Sequence, residues 1–251
     1  MTKPPDTPDH WSPLRALTAA RIGLARSGAS LATGPLLDFR LAHARARDAV
    51  HEDLDEARLC ADLAALGRPV LTVASAVQDR AQFLLRPDLG RQLADPAALA
   101  AHAGDYEVAF VIAGGLSARA VQAHAAPLLA QALPALADWR IAPLVVVRHG
   151  RVAIGDAVAT ALGARAVAVL IGERPGLTAP DSMGAYLTWA PGPRTTDAER
   201  NCISNIRPDG IAYADAAFKL VHLLRAMRAG GISGVALKDE SDRLLIGESE
   251  H

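Results

Sequence analysis

After the punctuation Gly67-Arg68-Pro69, short apolar runs alternate with helical stretches through most of the remaining chain. This rhythm restricts the sequence to a layered α/β fold. Residues 70–76, 108–113, 144–148, 166–171 and 186–190 read as strands, residues 117–137, 155–163 and 212–229 as helices, and residues 232–237 as a candidate last strand closing the sheet. The run Ala166-Val167-Ala168-Val169-Leu170-Ile171 has no polar position. Such a run is too short for a buried helix and reads as a central parallel strand covered on both faces. The expected architecture is α/β, a doubly wound, mostly parallel, Rossmann-like sheet preceded by an N-terminal helical region.

That N-terminal region follows a different period. Leu36, Leu37, Leu41, Ala44, Ala49, Val50 and Leu54, then Leu59, Leu63 and Leu66, recur every three to five residues between Gly34 and Gly67. The spacing predicts one long helix or two over residues 35–66. Arg40, His43, Arg47 and His51 form a stripe along one side of it. The stripe reads either as a solvated face whose stems lie over apolar neighbours or as a surface for a partner. Residues 1–13 are polar and Pro-rich, with too little apolar surface to fold alone, and read as a disordered arm without the apolar core of a secretory signal. The expected division is 1–67 as arm and helical partner-contacting region and 68–251 as the sheet domain.

A chain of 251 residues, 51% of them apolar, can bury one large core or two modest ones, and aromatics at only 4% make that core aliphatic. Twenty-six basic against 27 acidic residues give a net charge of −1, which offers no electrostatic case for nucleic acid or an anionic membrane. Cys60 and Cys202 are the only cysteines, a poor disulfide framework and too few for structural zinc, which fits a reducing cytoplasm. No apolar run approaches the roughly 20 residues of a membrane span. Phosphate-loop, dinucleotide, zinc-protease, C-x-x-C and serine-elbow motifs are all absent.

Ligands of open α/β sheets bind beyond the carboxyl ends of the strands, so each strand end is a place to look. Gly114-Gly115 follows the second strand and permits close approach to the backbone. Ser117 suits a helix cap. His149 follows the third strand with no second metal ligand at a suitable spacing, so no metal site is expected. The N-terminus opened by Gly155-Asp156 suits a phosphate, though one such pair is weak. Gly172-Glu173-Arg174-Pro175-Gly176 follows the fourth strand, read either as a plain turn or as a binding rim carrying Glu173 and Arg174.

Ordered blocks along the chain decide between these. They are Ala20-Arg21-Ile22-Gly23-Leu24, Leu41-Ala42-His43-Ala44-Arg45-Ala46-Arg47-Asp48-Ala49-Val50-His51, Arg86-Pro87-Asp88-Leu89-Gly90-Arg91, Gly115-Leu116-Ser117-Ala118 and Gly150-Arg151-Val152-Ala153-Ile154-Gly155-Asp156. They continue with Ile171-Gly172-Glu173-Arg174-Pro175-Gly176-Leu177, Pro180-Asp181-Ser182-Met183-Gly184-Ala185-Tyr186-Leu187-Thr188-Trp189-Ala190-Pro191, and residues 197–207. Nearly end to end, the chain resembles the small (light) subunit of ethanolamine ammonia-lyase, which acts with adenosylcobalamin to turn ethanolamine into acetaldehyde and ammonia.

The resemblance implies a cobalamin-binding role for residues 68–251, a large (heavy) subunit as partner, six copies of each subunit, and ethanolamine held mainly by the large subunit. By motif match, Val152, Glu173 and Cys202 are the expected cofactor contacts, with Arg174, Asn201, Ser204 and Asn205 as further candidates and Arg207 as a neighbouring donor. Glu173 and the Val152 carbonyl would accept from amides on the corrin rim, while Cys202 offers a soft contact or serves as a small buried hydrophobe. No D-x-H-x-x-G segment is present to supply a histidine to cobalt, and no catalytic residue is assigned to this chain. Gly114 stands where the family usually carries an Asp. The first residues carry no evident encapsulation peptide, which leaves a bacterial microcompartment open. Two other classes also remain open, a self-sufficient nucleotide-binding α/β enzyme and a non-catalytic adaptor subunit.

Overall fold

Residues 10–241 are described by a computed structural model of the chain. Its centre is a six-stranded sheet in the order β1-β3-β2-β4-β5-β6, with β1 Val70–Ala74, β2 Tyr106–Ala113, β3 Leu144–Arg148, β4 Ala164–Gly172, β5 Met183–Trp189 and β6 Arg200–Ile206. The first four strands are mutually parallel, β5 is antiparallel to both of its neighbours, and the edge strand β6 again runs in the direction of the first four. The molecule is thus mixed α/β with a mostly parallel sheet.

Strand alternation divides the core in two. Val108, Phe110 and Ile112 of β2 and Ala166, Ala168 and Leu170 of β4 face one side, beneath α2 (Glu56–Ala64), α4 (Ala118–Ala132) and α6 (Tyr213–Gly230). Ala109, Val111 and Ala113 of β2 and Val167, Val169 and Ile171 of β4 face the other, beneath α5 (Ile154–Leu162). Because both faces are covered, residues 108–113 of β2 and 166–171 of β4 are all apolar, which made them readable in the sequence.

The N-terminal periodicity resolves into two helices, α1 Thr33–His51 and α2, separated at residues 52–55. Asp55 sets the break, its carboxylate accepting from the Arg58 N–H at 3.0 Å as an N-cap. Leu59 and Leu63 of α2 are fully buried in the main core, whereas α1 buries only Ala49. Of the arm, residues 1–9 lie outside the described residues. Ser12–Arg15 forms a helical turn rather than disordered chain. Trp11 lies against Gly23, whose φ of +55° and lack of a side chain permit the contact, and Arg15 donates to the Gly23 carbonyl at 2.7 Å. That contact accounts for the glycine in the Ala20-Arg21-Ile22-Gly23-Leu24 block.

Two expectations need correction. Residues 200–206, which are not among the expected strands, form the edge strand β6, one of whose faces is solvated. Residues 232–237 do not close the sheet, since Gly234–Ala236 is a 3-10 turn. Gly234 takes φ +69°, and a Cβ there would lie 2.0 Å from the Ala198 carbonyl oxygen. Side chains hold this segment instead. Asn201 accepts from the Gly234 N–H at 2.7 Å and donates to the Leu237 carbonyl at 2.9 Å, and Ser233 accepts from the Trp189 N–H at 2.9 Å.

Among the described residues no helix is long and apolar enough to cross a membrane.

Candidate functional site: a groove over the strand ends

The carboxyl ends of β2, β3 and β4 and the neighbouring edge β5-β6 enclose a groove of adjoining hollows. One, about 360 Å³, lies among Arg91, Arg151, Val152, Tyr186, Arg200 and Cys202; a second of the same size lies among Leu116, Arg151, Val152, Glu173, Arg174 and Tyr186. They share Arg151, Val152 and Tyr186. A third, about 620 Å³, continues past Arg151 and Arg174 to His43, Arg47 and His51 of α1. Three members of the basic stripe therefore face this hollow. Val152, Glu173, Cys202 and Arg174 line one continuous surface although they come from separate parts of the chain.

Glu173 leaves β4 with its N–H donated to the Ser182 carbonyl at 2.9 Å. Its Oε2 accepts from the Ser182 hydroxyl and, at 3.2 Å, from the Asn205 N–H. The other oxygen, Oε1, has no donor among the described residues, and Gly184 opposite leaves it room. A bulge provides the Asn205 donor. Ala185 pairs with Ile203 but Met183 with Ile206, so Ser204 and Asn205 together oppose Gly184, and Asn205 takes φ +58°. A bulge re-aims the strand locally, and here it turns a backbone N–H onto Glu173.

Tyr186 and Cys202 are direct cross-strand neighbours. Burial, then the adjacent Cys202 and Glu173, pushes the Tyr186 phenol far up. Burial also pushes the Cys202 thiol up; its hydrogen bond with Tyr186 opposes this, and the Glu173 charge adds to it. A raised thiol is a poor nucleophile. Cys202 therefore offers an uncharged surface, exposed at the groove wall.

Val152 stands where the chain turns from β3 into α5. Its carbonyl already accepts from the Gly155 N–H at 3.1 Å, which leaves one lone pair for a ligand. Below it lies a buried ion pair. Arg200 donates to Asp156 through both terminal nitrogens, at 2.8 and 2.7 Å, and to the Thr188 hydroxyl at 3.0 Å. Burial would lower the guanidinium pKa, and Asp156 and Asp197 more than offset it. The Asp156 side chain is thus committed to Arg200.

Arg80, at the start of α3 (Arg80–Leu85), fastens the groove to the N-terminal helices. It donates to the carbonyls of Val50 at 2.8 Å, Gly115 at 2.7 Å and Leu116 at 3.1 Å. Gly114 is not forced by crowding, because a Cβ there would meet only Leu54 and Ala118 at ordinary distances. Ser117 caps α4, accepting from the Ala120 N–H at 3.4 Å, and donates to the Pro180 carbonyl at 3.0 Å.

The other candidates are placed differently. The Asn201 side chain is bound to residues 234 and 237, and Ser204 touches neither hollow. The Asn205 carbonyl and side chain are occupied by Ile211 and Arg207. His149, in the left-handed region at φ +55°, lies beside Phe83, and no metal-holding cluster occurs among the described residues. Sequence reasoning missed Arg91, Arg151 and Tyr186 as groove residues. Tyr186 had a signal, since strand alternation across β5 separates it from the buried Ala185 and Leu187.

A hydrogen-bonded histidine braces the loop behind Glu173. His124 of α4 bonds the Tyr213 hydroxyl at 2.7 Å and the Asp181 carbonyl at 3.0 Å. Burial lowers its pKa below the usual 6.5, with Asp181 opposing. As pH falls through about 6.5 the unfolded chain gains this proton before the native state does, so acid should weaken the fold. Urea midpoints should fall between pH 7 and pH 5.5, and His124→Gln should show a shallower fall; an equal fall in both proteins would remove His124 as a contributor.

The model of the ethanolamine ammonia-lyase light chain (EutC) family matches residues 8–238. The chain is 54% identical to the ethanolamine ammonia-lyase small subunit of Xanthomonas campestris pv. campestris, over 97% of this chain and 93% of that one. It is 53% identical to that of Ralstonia nicotianae, over 96% and 92%, and 50% identical to that of Azotobacter vinelandii, over 95% and 91%. The chain belongs to the ethanolamine ammonia-lyase small-subunit family. All groove residues fall within the part matched to the ethanolamine ammonia-lyase light chain.

Proposed function

We propose that this chain binds adenosylcobalamin together with an ethanolamine ammonia-lyase large subunit and supports the radical deamination of ethanolamine to acetaldehyde and ammonia. The observation that carries the reading is the convergence of Val152, Glu173 and Cys202 on one groove where Glu173 Oε1 has no donor among the described residues. Cobalamin's corrin edge bears primary amides, and an open carboxylate oxygen, a carbonyl with a spare lone pair and a neutral thiol suit that edge. When bound, the cofactor supplies a homolysable cobalt–carbon bond, which is its own chemistry.

This chain's residues bind, orient and cover. Glu173, fixed by Ser182 and Asn205, accepts an amide N–H. Val152 accepts another from the turn into α5. Tyr186 and Cys202 form an uncharged wall that excludes water. None of these groups is assigned a proton-transfer step, and ethanolamine is held mainly by the large subunit. The Rossmann-like domain over 68–251 carries the cofactor surface. Residues 1–67 contact the partner, in support of which α1 leaves Leu37 and Leu41 more than half exposed. We read the assembly as six copies of each subunit in the cytoplasm.

Purified large subunit with adenosylcobalamin should release ammonia from ethanolamine only when this chain is added. Turnover by the large subunit alone would reject an essential role, and an unchanged rate with Glu173 variants would favour an adaptor. In the complex, Glu173→Ala should weaken cobalamin binding by about 1 to 3 kcal/mol, the cost of leaving a buried amide without its acceptor. A cobalamin titration identical to that of the unaltered complex would remove Glu173 from the site.

A further inference from the structure

Of the guanidinium groups around the groove, Arg91, Arg151 and Arg174 are used neither by the proposed amide contacts nor by a carboxylate among the described residues. Arg151 lies with its guanidinium carbon 4.1 Å over the Phe83 ring and donates from Nη2 to the Phe83 carbonyl at 2.9 Å. Its Nε is buried without an acceptor, and Nη1 also has none among the described residues. Arg91 lines the first hollow and Arg174 the second, with Arg151 between them in both. The Arg91 and Arg174 side chains are exposed and have no acceptor among the described residues.

Nearby carboxylates are engaged elsewhere. Asp156 and Asp197 bind Arg200, and Glu173 holds Ser182 and the Asn205 N–H. Besides burial, the influences that depress the Arg151 pKa are Arg91 and Arg174, with no acid offsetting them. The backbone N–H groups of Val152 and Ala153, on the same wall, have no acceptor among the described residues. A partly desolvated guanidinium such as Arg151, with a buried unpaired Nε and no counter-charge, is costly. Several guanidinium forks beside free backbone N–H groups match the oxygens of a phosphate.

We propose that Arg91, Arg151 and Arg174, with the N–H groups of Val152 and Ala153, form an anion subsite for the phosphodiester of the cofactor's nucleotide tail. The inference rests on the cobalamin reading above and deepens it. Glu173 takes the amide edge of the ring, while the arginine wall takes the only anionic group of the ligand, so the two contacts define which way the nucleotide tail runs along the groove.

The test uses the complex of this chain with the large subunit and three probes: cyanocobalamin, cobinamide, which lacks the nucleotide and its phosphate, and cobinamide phosphate, which restores the phosphate without the base. Affinities are read by equilibrium dialysis. The unaltered complex should hold cobinamide phosphate about tenfold or more tighter than cobinamide, as befits charge-assisted contacts. Arg91→Gln combined with Arg174→Gln changes only exposed side chains, and the preference should fall to about onefold with cobinamide affinity unchanged. Glu173→Gln should weaken both corrinoids alike and keep the preference.

An unaltered complex with no phosphate preference, a double variant that retains it, or a double variant that loses both probes equally would overturn the subsite. No binding of cyanocobalamin by the unaltered complex would instead overturn the cofactor reading and the subsite with it.

Discussion

Asp156→Ala is expected to destabilise the chain by about 3 to 5 kcal/mol, because it leaves a charged guanidinium buried without its partner. The Arg200 side chain is 3% exposed and that of Asp156 9%, with two charge-assisted hydrogen bonds between them. Asp197 cannot substitute, since its contact to Arg200 Nε is 3.3 Å long and its side chain is 91% exposed. The pair joins the edge strand β6 to α5 across β5, beneath Val152. Removing both charges with well-packed apolar residues, as in Asp156→Leu with Arg200→Met, should recover most of the loss. Denaturation midpoints of the single and double variants measure this. A single variant as stable as the original chain would show that the pair contributes little beyond its desolvation cost.

Gly172→Ala is expected to cost about 3 kcal/mol, the upper end of overpacking penalties, or to prevent folding. A Cβ at Gly172 would lie 1.9 Å from the Ser117 carbonyl oxygen and 2.6 Å from that of Gly114. Both are backbone atoms at the neighbouring strand end, and neither can yield as a flexible side chain would. The Gly172 carbonyl also accepts from the Leu116 N–H at 3.0 Å, so relieving the clash would open the junction of β2 and β4 under the groove. Gly114→Ala provides the contrast. Its new methyl would meet side-chain and backbone carbons of Leu54 and Ala118 no closer than 3.7 Å, and it should be tolerated. Equal stability of the two variants in urea would refute the steric argument.

The parts of the fold that were legible in the sequence are those whose environment leaves one choice of residue. The stretches 108–113, 144–147 and 166–171 of β2, β3 and β4 are covered on both faces and could only be apolar. β6 is an edge strand with a bulge, and its polar residues each answer a different demand: Arg200 to Asp156, Asn201 to Gly234, Asn205 to Glu173. No period survives such a mixture. The segment 232–237 misled in the opposite sense, because its apolar side chains suit a strand while Gly234 imposes a turn.

The groove was only partly readable. Glu173 sits at a strand end, where binding residues belong, and its position follows from topology. Arg151 depends on a ring supplied by Phe83, 68 residues earlier, and nothing local announces that contact. The convergence of residues 91, 151 and 174 is equally non-local. For the same reason Asn201, attractive as a donor beside Cys202, turns out to be spent on the chain after α6.

Arg80 ties three carbonyls from two distant stretches, one at the end of α1 and two at the strand end beside the groove. These three hydrogen bonds form together only with both stretches in place, and burial makes an unsatisfied guanidinium expensive. The ligand-facing wall and the helix that leans outward from it are consequently a single mechanical piece, and a load applied to one is delivered to the other through a side chain.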